Sequence, residues 1–314
     1  MAVRFVPDLK LTKLPRKGRG GGEVKQLSLL SAELTPKPTL DPDYLHTVLT
    51  SVFLPVSDPG DQSVWRRRDG KRSLLVEAGV LPDDSAPEGY VRPGLPYGAK
   101  ARLVLIYLTG EAVRTRSNII DVGRSMRAFM AAMGLTDGGR EYEAVHEQLR
   151  RLRAASIHLS LDSAEKSSDM STRLVEGAEF WHRDGEGRGR WEDRVVLGSA
   201  FFEALRHHSV PLDPTHVRAL AGSALALDVY SWLAGRLHRV AGAEFIPWAR
   251  LWEQFAVGWK DTPANRRRFR GNFRRVLTQV ASAYDAVHDH VKDDDLGLTL
   301  TAAPPPVPKL TSPS

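Results

Sequence analysis

A chain of 314 residues without a cysteine excludes disulfide stapling, zinc knuckles and thiol chemistry, and it is long enough for two domains of ordinary size. Its 44 Lys+Arg against 38 Asp+Glu give a formal net charge of +6 and a pI near 9.6, a balance that suits a polyanionic partner. No run reaches the length of about 18 apolar residues that a membrane span needs, and no secretory leader opens the sequence. The expectation is a cytoplasmic protein with no membrane partner.

Residues 1–40 carry Lys10, Lys13, Arg16, Lys17, Arg19 and Lys25 around a glycine cluster and read as a disordered basic arm. From Tyr44 the pattern turns to extended segments at 48–55 and 73–78, separated by a turn-rich stretch and by Arg66, Arg67 and Arg68, which predicts a hairpin or small sheet.

A unit that occurs twice begins near Tyr97. Its first copy is a helix over 99–113, a short β-branched segment at 118–122, and a helix with Met126, Phe129, Met130 and Met133 at i, i+3, i+4, i+7 stopped by Gly134. A third helix follows over 141–155, buried through Tyr142, Val145, Leu149 and Leu152, and then two strands at 157–161 and 172–181. A hairpin around 185–189 and a helix near 199–207 make the connection.

The second copy opens with a helix over 223–239 that is apolar almost all round and so belongs in the centre of a core. A strand near 244–247, a helix with Trp248, Leu251, Trp252 and Phe255 ended by Gly258, a third helix, and a hairpin of 286–291 and 296–301 across Asp293, Asp294 and Asp295 complete it. Helix, strand, helix, helix, hairpin is the order of a winged helix-turn-helix. The predicted fold class is therefore α+β, mainly helical, with tandem winged helix-turn-helix domains and small antiparallel hairpins. The expected boundaries are 41–195 for the first domain with its leading hairpin and 196–303 for the second. The proline-rich tail 304–314 reads as disordered.

The third helix of the second copy, over 263–284, carries the chemistry. Phe269, Phe273, Val276, Leu277, Val280 and Tyr284 gather on one side, while Arg266, Arg267, Arg268, Arg270, Arg274 and Arg275 lie among no acidic residue at all. An ordinary solvated face mixes signs, because acid–base pairs at i, i+4 stabilise a helix and like charges do not. This face suits double-stranded DNA: guanidinium forks bind phosphates and guanine edges, and Gly271 lets the backbone come close. By helical angle, Arg267, Gly271, Arg274 and Thr278 point toward base edges, and Arg268 and Arg275 toward flanking phosphates. Arg270 is counted with this set. In the first copy Arg114, Arg116, Arg150 and Arg151 are candidate backbone contacts. The same helix places Glu141, Glu143 and Glu147 before its arginines as the helix dipole favours, so it serves structure or a homodimer contact equally well.

LPYGAKARLVLIYLTGEAVRT at 95–115, IIDVGRSMRAFMAAMGL at 119–135, PLDPTHVRALAGSALALDVYSWLAGR at 211–236 and WARLWEQF at 248–255 resemble the plasmid replication initiators of the RepA family. The resemblance spans about 44–301. It implies a winged-helix protein that binds repeated sequences at a plasmid origin, starts replication there, and itself hydrolyses no nucleotide; host replication proteins are a further candidate partner. The acidic tip Asp293 to Asp295 departs from a phosphate-touching wing, which would be basic.

Enzymatic readings are weaker. The residues around Gly94, Gly98 and Lys100 lack the spacing and hydroxyl of a phosphate-binding loop. His288 and His290, with Tyr284 nearby, offer a metal-dependent nicking site if they share a strand face, but Asp289 between them and the acidic run after them break that pattern. His207 and His208 suit the end of a helix. Asp228, inside the apolar helix, calls for an arginine partner or a neighbouring backbone to cap, and is not catalytic. No catalytic residue, metal or cofactor is expected. The alternatives are a winged-helix transcriptional regulator, which needs the same DNA-binding surface, and the nicking initiator.

Overall fold

The computed structural model describes residues 41–122, 125–136, 138–162, 167–180 and 192–307. The amino-terminal arm, the stretch 185–189 and residues 308–314 lie outside them. In chain order the elements are β1 (Asp43–His46), a 3-10 turn (Thr47–Thr50), β2 (Val64–Asp69), β3 (Arg72–Glu77), β4 (Leu81–Pro82), β5 (Tyr90–Val91), α1 (Gly98–Thr115), β6 (Ile119–Asp121), α2 (Met126–Ala132), α3 (Gly139–Ala154), β7 (Ser156–Asp162), β8 (Ser167–Arg173), β9 (Val175–Phe180) and β10 (Glu192–Leu197). There follow α4 (Ser199–His207), β11 (Ser209–Leu212), α5 (Pro214–Ala219), α6 (Ala224–Arg236), β12 (Ala243–Pro247), α7 (Trp248–Phe255), α8 (Pro263–Ala283), α9 (Ala286–His290), β13 (Val291–Asp293) and β14 (Gly297–Thr301). The fold is mixed α and β, with small sheets that are antiparallel throughout the described residues.

Two helices make the centre. Ala101 to Ile106, Leu108 and Ala112 of α1, and Ala226 to Gly235 of α6, are buried on every side, as expected for helices with no polar face. β1 crosses close over α1 at Gly110, where an added Cβ would lie 3.0 Å from the Asp43 carboxylate. Thr109 fixes the crossing by donating its hydroxyl to Tyr44 O at 2.5 Å. Ser223 caps α6 by accepting from Ala226 N at 3.2 Å.

One series of elements recurs with the same strand neighbours, interrupted by β7 and β8 in the first copy and by α9 in the second. After α1, β6, α2 and α3 comes the sheet β6–β10–β9; after α6, β12, α7 and α8 comes β12–β14–β13. In each, the short strand after the first helix pairs with the last strand of the closing pair. The second helices both end at left-handed glycines, Gly134 (φ 72°) and Gly258 (φ 80°).

Three details differ from the sequence expectation. Of the two strands expected to close the first copy, the one over 157–161 is β7, and it instead joins β8 in extending the leading hairpin into a sheet β2–β3–β7–β8. The reason is facial: Ile157 and Leu159 of β7 register with Val76 and Leu74 of β3, so one apolar face continues across the sheet. The expected single strand 172–181 breaks at the buried Leu174, where Gly198 passes so close that a Cβ would sit 2.2 Å from Arg173 O. The closing pair is β9–β10: β9 keeps most of the expected strand 172–181, and β10 lies within the stretch expected as connection. In the second copy, 286–291 is largely the helix α9 because Val287, buried, and Val291 repeat at i, i+4 rather than alternate.

His46 terminates β1 and caps the 3-10 turn, its Nδ1 accepting from Val48 N at 3.2 Å. Burial, with His208 nearby, pushes its pKa down to about 4. A histidine held neutral in the fold contributes stability that is complete above its unfolded pKa of about 6.5 and is lost as pH falls from there through 4, about 3 kcal/mol in all. Asp43 acts oppositely: burial raises its carboxyl to about 6 against the pull of Arg114, so its contribution is lost as pH rises from 3.8 through 6. Urea unfolding of wild type and His46→Asn between pH 7 and 4 separates them. The wild type should lose stability toward acid relative to the variant, and parallel curves would refute the assignment.

Candidate nucleic-acid interface

α8 is 21 residues long, about 31 Å at 1.5 Å per residue. Thr262 caps it by accepting from Asn265 N at 3.2 Å, and Pro263 occupies the first turn, where a missing N–H costs nothing. Phe269, Phe273, Val276, Leu277, Val280 and Ala281 form its buried back. Aromatic contacts set its position against α7: Phe269 meets Trp252 at 5.4 Å between ring centroids, and Phe273 meets Phe255 at 5.2 Å and Trp248 at 5.9 Å, all three near edge-on.

The front of α8 is where its arginines diverge. Arg266 is held bidentately by Asp261 at 2.6 and 2.7 Å and lies over Trp252, and the pairing keeps the Asp261 carboxyl below its ordinary range. Arg274, expected to point outward, turns to the closing strands. Its Nε donates to Asp293 at 2.6 Å, its Nη2 donates to Asp294 O at 2.9 Å, and its guanidinium sits 5.4 Å from the Trp248 ring. Trp248 Nε1 donates to the same Asp294 carbonyl at 2.9 Å. The acidic tip is therefore partly neutralised by α8 and tied to it. Arg268 lies 5.6 Å over Trp259, and Arg275 donates to Asn272 at 3.2 Å. Among the described residues Arg267, Arg268, Arg270 and Arg275 have no carboxylate partner. Arg267, Arg268, Gly271, Arg275 and Thr278 are exposed, and a Cβ on Gly271 would touch nothing within 4 Å.

The first copy presents a different surface. Arg151 donates to Glu147 at 2.8 Å and to Leu95 O at 3.0 Å and stacks on Tyr97, and Arg150 lies 3.6 Å from Glu147. Arg114 is held by Glu111, by Pro42 O at 3.0 Å and by Asp43 at 3.4 Å. Arg116 is exposed and left-handed (φ 54°) at the end of α1. The candidate arginines of α3 are thus held in ion pairs, whereas four of the six on α8 have no carboxylate partner among the described residues.

One contact had no signal in periodicity. Arg67 points to the opposite side of β2 from Arg66 and Arg68, and it donates to Glu253 O at 2.9 Å and Gln254 O at 2.7 Å, capping the end of α7. Arg250 reaches back to Asp69 at 3.1 Å. The leading hairpin therefore braces α7, and Arg66 and Arg68 remain exposed beside it. Strand alternation around three consecutive arginines would have predicted the split, but not the partner.

The histidine candidates separate. His288 and His290 belong to α9, where residues two apart point to different sides, and His290 Nδ1 lies 3.1 Å from Thr301 Oγ1. Tyr284 is buried and donates to Pro304 O at 2.8 Å. No group of three or more potential metal ligands occurs among the described residues, and none of their helices is long and apolar enough to cross a membrane.

Residues 95–252 match the family described as plasmid encoded RepA protein. No curated protein compared with the chain matches it. Among solved structures, a selenomethionine crystal form of domains 2 and 3 of RctB is similar at 12% identity and a TM-score of 0.49, over 74% of this chain and 83% of that one. Another crystal structure of RctB domains 2 and 3 is similar at 12% identity and a TM-score of 0.46, over 74% and 82%.

Proposed function

The chain belongs to the family of plasmid-encoded RepA proteins, and from that premise we propose that it is a sequence-specific DNA-binding initiator of plasmid replication, built from tandem winged helices and docking α8 in the major groove of repeated origin sites. The observation that carries this reading is the front of α8, four guanidiniums without carboxylate partners on a helix whose back is locked to α7. The groove is about 12 Å wide and admits a helix of that diameter. The recurrence of this series of elements with one strand adjacency supports the winged-helix reading.

Within α8 the roles divide by position. Arg267, Gly271 and Thr278 face outward and read base edges. Arg268, Arg270 and Arg275 hold phosphates. Arg274 braces the β13–β14 pair against the helix. Titration of cognate and scrambled duplexes tests the division. Arg267→Ala should cost about 1 to 3 kcal/mol on the cognate repeat alone. Arg275→Ala should weaken both duplexes alike and reduce the magnitude of the salt slope by about 1. Equal losses on both duplexes for both variants would make α8 a backbone contact only, with sequence read elsewhere.

A further inference from the structure

A second concentration of positive charge lies at the far end of α6, around a cavity of about 210 Å³. Arg236 and Arg239 reach it from α6 and the turn that follows, Arg72 from the start of β3, and Thr50 and Ser51 from the end of the 3-10 turn. Three guanidiniums share one lining carboxylate, Glu244, and Arg236 occupies it with both Nε and Nη2. Arg72 and Arg239 are left without a carboxylate partner among the described residues.

The hydrogen-bonding inventory is one-sided. Arg72 Nη1 donates to Ser51 Oγ at 2.5 Å, so the serine hydroxyl proton remains to be donated. Arg239, which lines the cavity, uses its Nε on His238 at 3.1 Å, which leaves its amino groups to donate elsewhere. Trp232, which lines the cavity beneath Arg236, is 2% exposed, and its indole N–H has no partner among the described residues. Two guanidiniums and a hydroxyl therefore bring donors to one cavity whose single lining carboxylate is already taken by Arg236. Burial together with the neighbouring Arg239 and Arg236 lowers the Arg72 pKa, against Asp69, so the charges are close enough to oppose one another. Gly235 keeps the floor open, because a Cβ there would come within 3.0 Å of Thr50 Oγ1.

We propose that this cavity is a phosphate-binding site, in which Arg72, Arg239 and Ser51 surround a tetrahedral oxyanion carried either by the DNA backbone or by a small phosphate compound. Donors arriving from three separate chain segments suit a tetrahedral anion with several acceptor oxygens better than a planar carboxylate. The site is independent of α8 and stands whether or not α8 reads DNA.

The experiment uses the full chain with inorganic phosphate and pyrophosphate as probes, acetate at matched ionic strength as control, and the Trp232 indole N–H resonance as readout, assigned through Trp232→Phe. Saturable binding of phosphate or pyrophosphate that moves this resonance, with acetate inert, is the expected result. Arg239→Gln, exposed and safe for folding, should weaken binding at least tenfold, and Arg206→Gln should not. A duplex titration then identifies the source. If phosphate competes with DNA and Arg239→Gln reduces the salt slope by about 1, the ligand is the backbone; if phosphate binds without affecting DNA, it is a small molecule. Arg239→Gln behaving as wild type toward both phosphate and DNA, or acetate binding as tightly as phosphate, would overturn the proposal.

Discussion

Asp228→Ala or Arg102→Met is expected to remove about 3 to 5 kcal/mol of folding stability, a large part of the 5 to 15 kcal/mol that holds a typical domain. Arg102 of α1 and Asp228 of α6 pair bidentately at 2.6 and 2.7 Å, each almost wholly buried. The guanidinium also donates to Pro55 O at 3.0 Å, Gly98 O at 2.8 Å and Leu54 O at 2.7 Å, so it joins the two central helices to the segment between the first hairpin and the turn before it. Either single change leaves a charge buried without its counter-ion. Burial raises the Asp228 pKa even with Arg102 opposing it. In Arg102→Met that opposition is gone and the carboxyl should fold protonated, so the variant should recover stability as pH falls and lose it as pH rises. The double change Arg102→Met with Asp228→Leu should cost less than the sum of the singles, although the three carbonyls still lose their donor. Urea unfolding at pH 5 and 7 checks all three, and single-variant losses below about 1 kcal/mol would refute the burial argument.

This pair also marks where the sequence stops being informative. Asp228 inside an apolar helix announces that a partner must exist, but nothing local says which of 44 cationic residues supplies it across 126 positions. The back of α8 was legible because helical spacing is a local property: Phe269, Phe273, Val276, Leu277 and Val280 are all buried as their period requires. Gly134 and Gly258 were legible as helix stops because left-handed φ selects glycine. The destination of β7 and β8 was not, since alternation identifies a face and leaves the pairing edge open. The front of α8 was legible only as composition. Its neutralisers, Asp261 just before the helix and Asp293 well after it, lie outside the acid-free window, and Asp293 meets Arg274 only through the return of β13. What composition overstated as six free arginines, the fold divides into two that are salt-bridged and four that have no carboxylate partner.

Those four should dominate affinity. Replacing Arg267, Arg268, Arg270 and Arg275 together by Gln is expected to reduce the magnitude of the salt slope by about 2.7, from the three that hold phosphates, and at 0.1 M salt to weaken binding to any duplex by about 2.7 decades, roughly 4 kcal/mol, with a further loss on the cognate repeat from Arg267. The same replacement should not destabilise the protein. Arg267, Arg268 and Arg275 are exposed, and Arg270 stands three residues from Arg267 and four from Arg266 and Arg274, spacings at which like charges cost a helix about 0.2 to 0.5 kcal/mol per pair. The variant should therefore melt at or slightly above the wild-type temperature while losing nearly all affinity. Opposite signs for stability and binding are what distinguish arginines kept for a ligand from arginines kept for the fold. A variant that binds with the wild-type slope would remove α8 from the DNA contact, and one that melts well below wild type would make its front a structural surface.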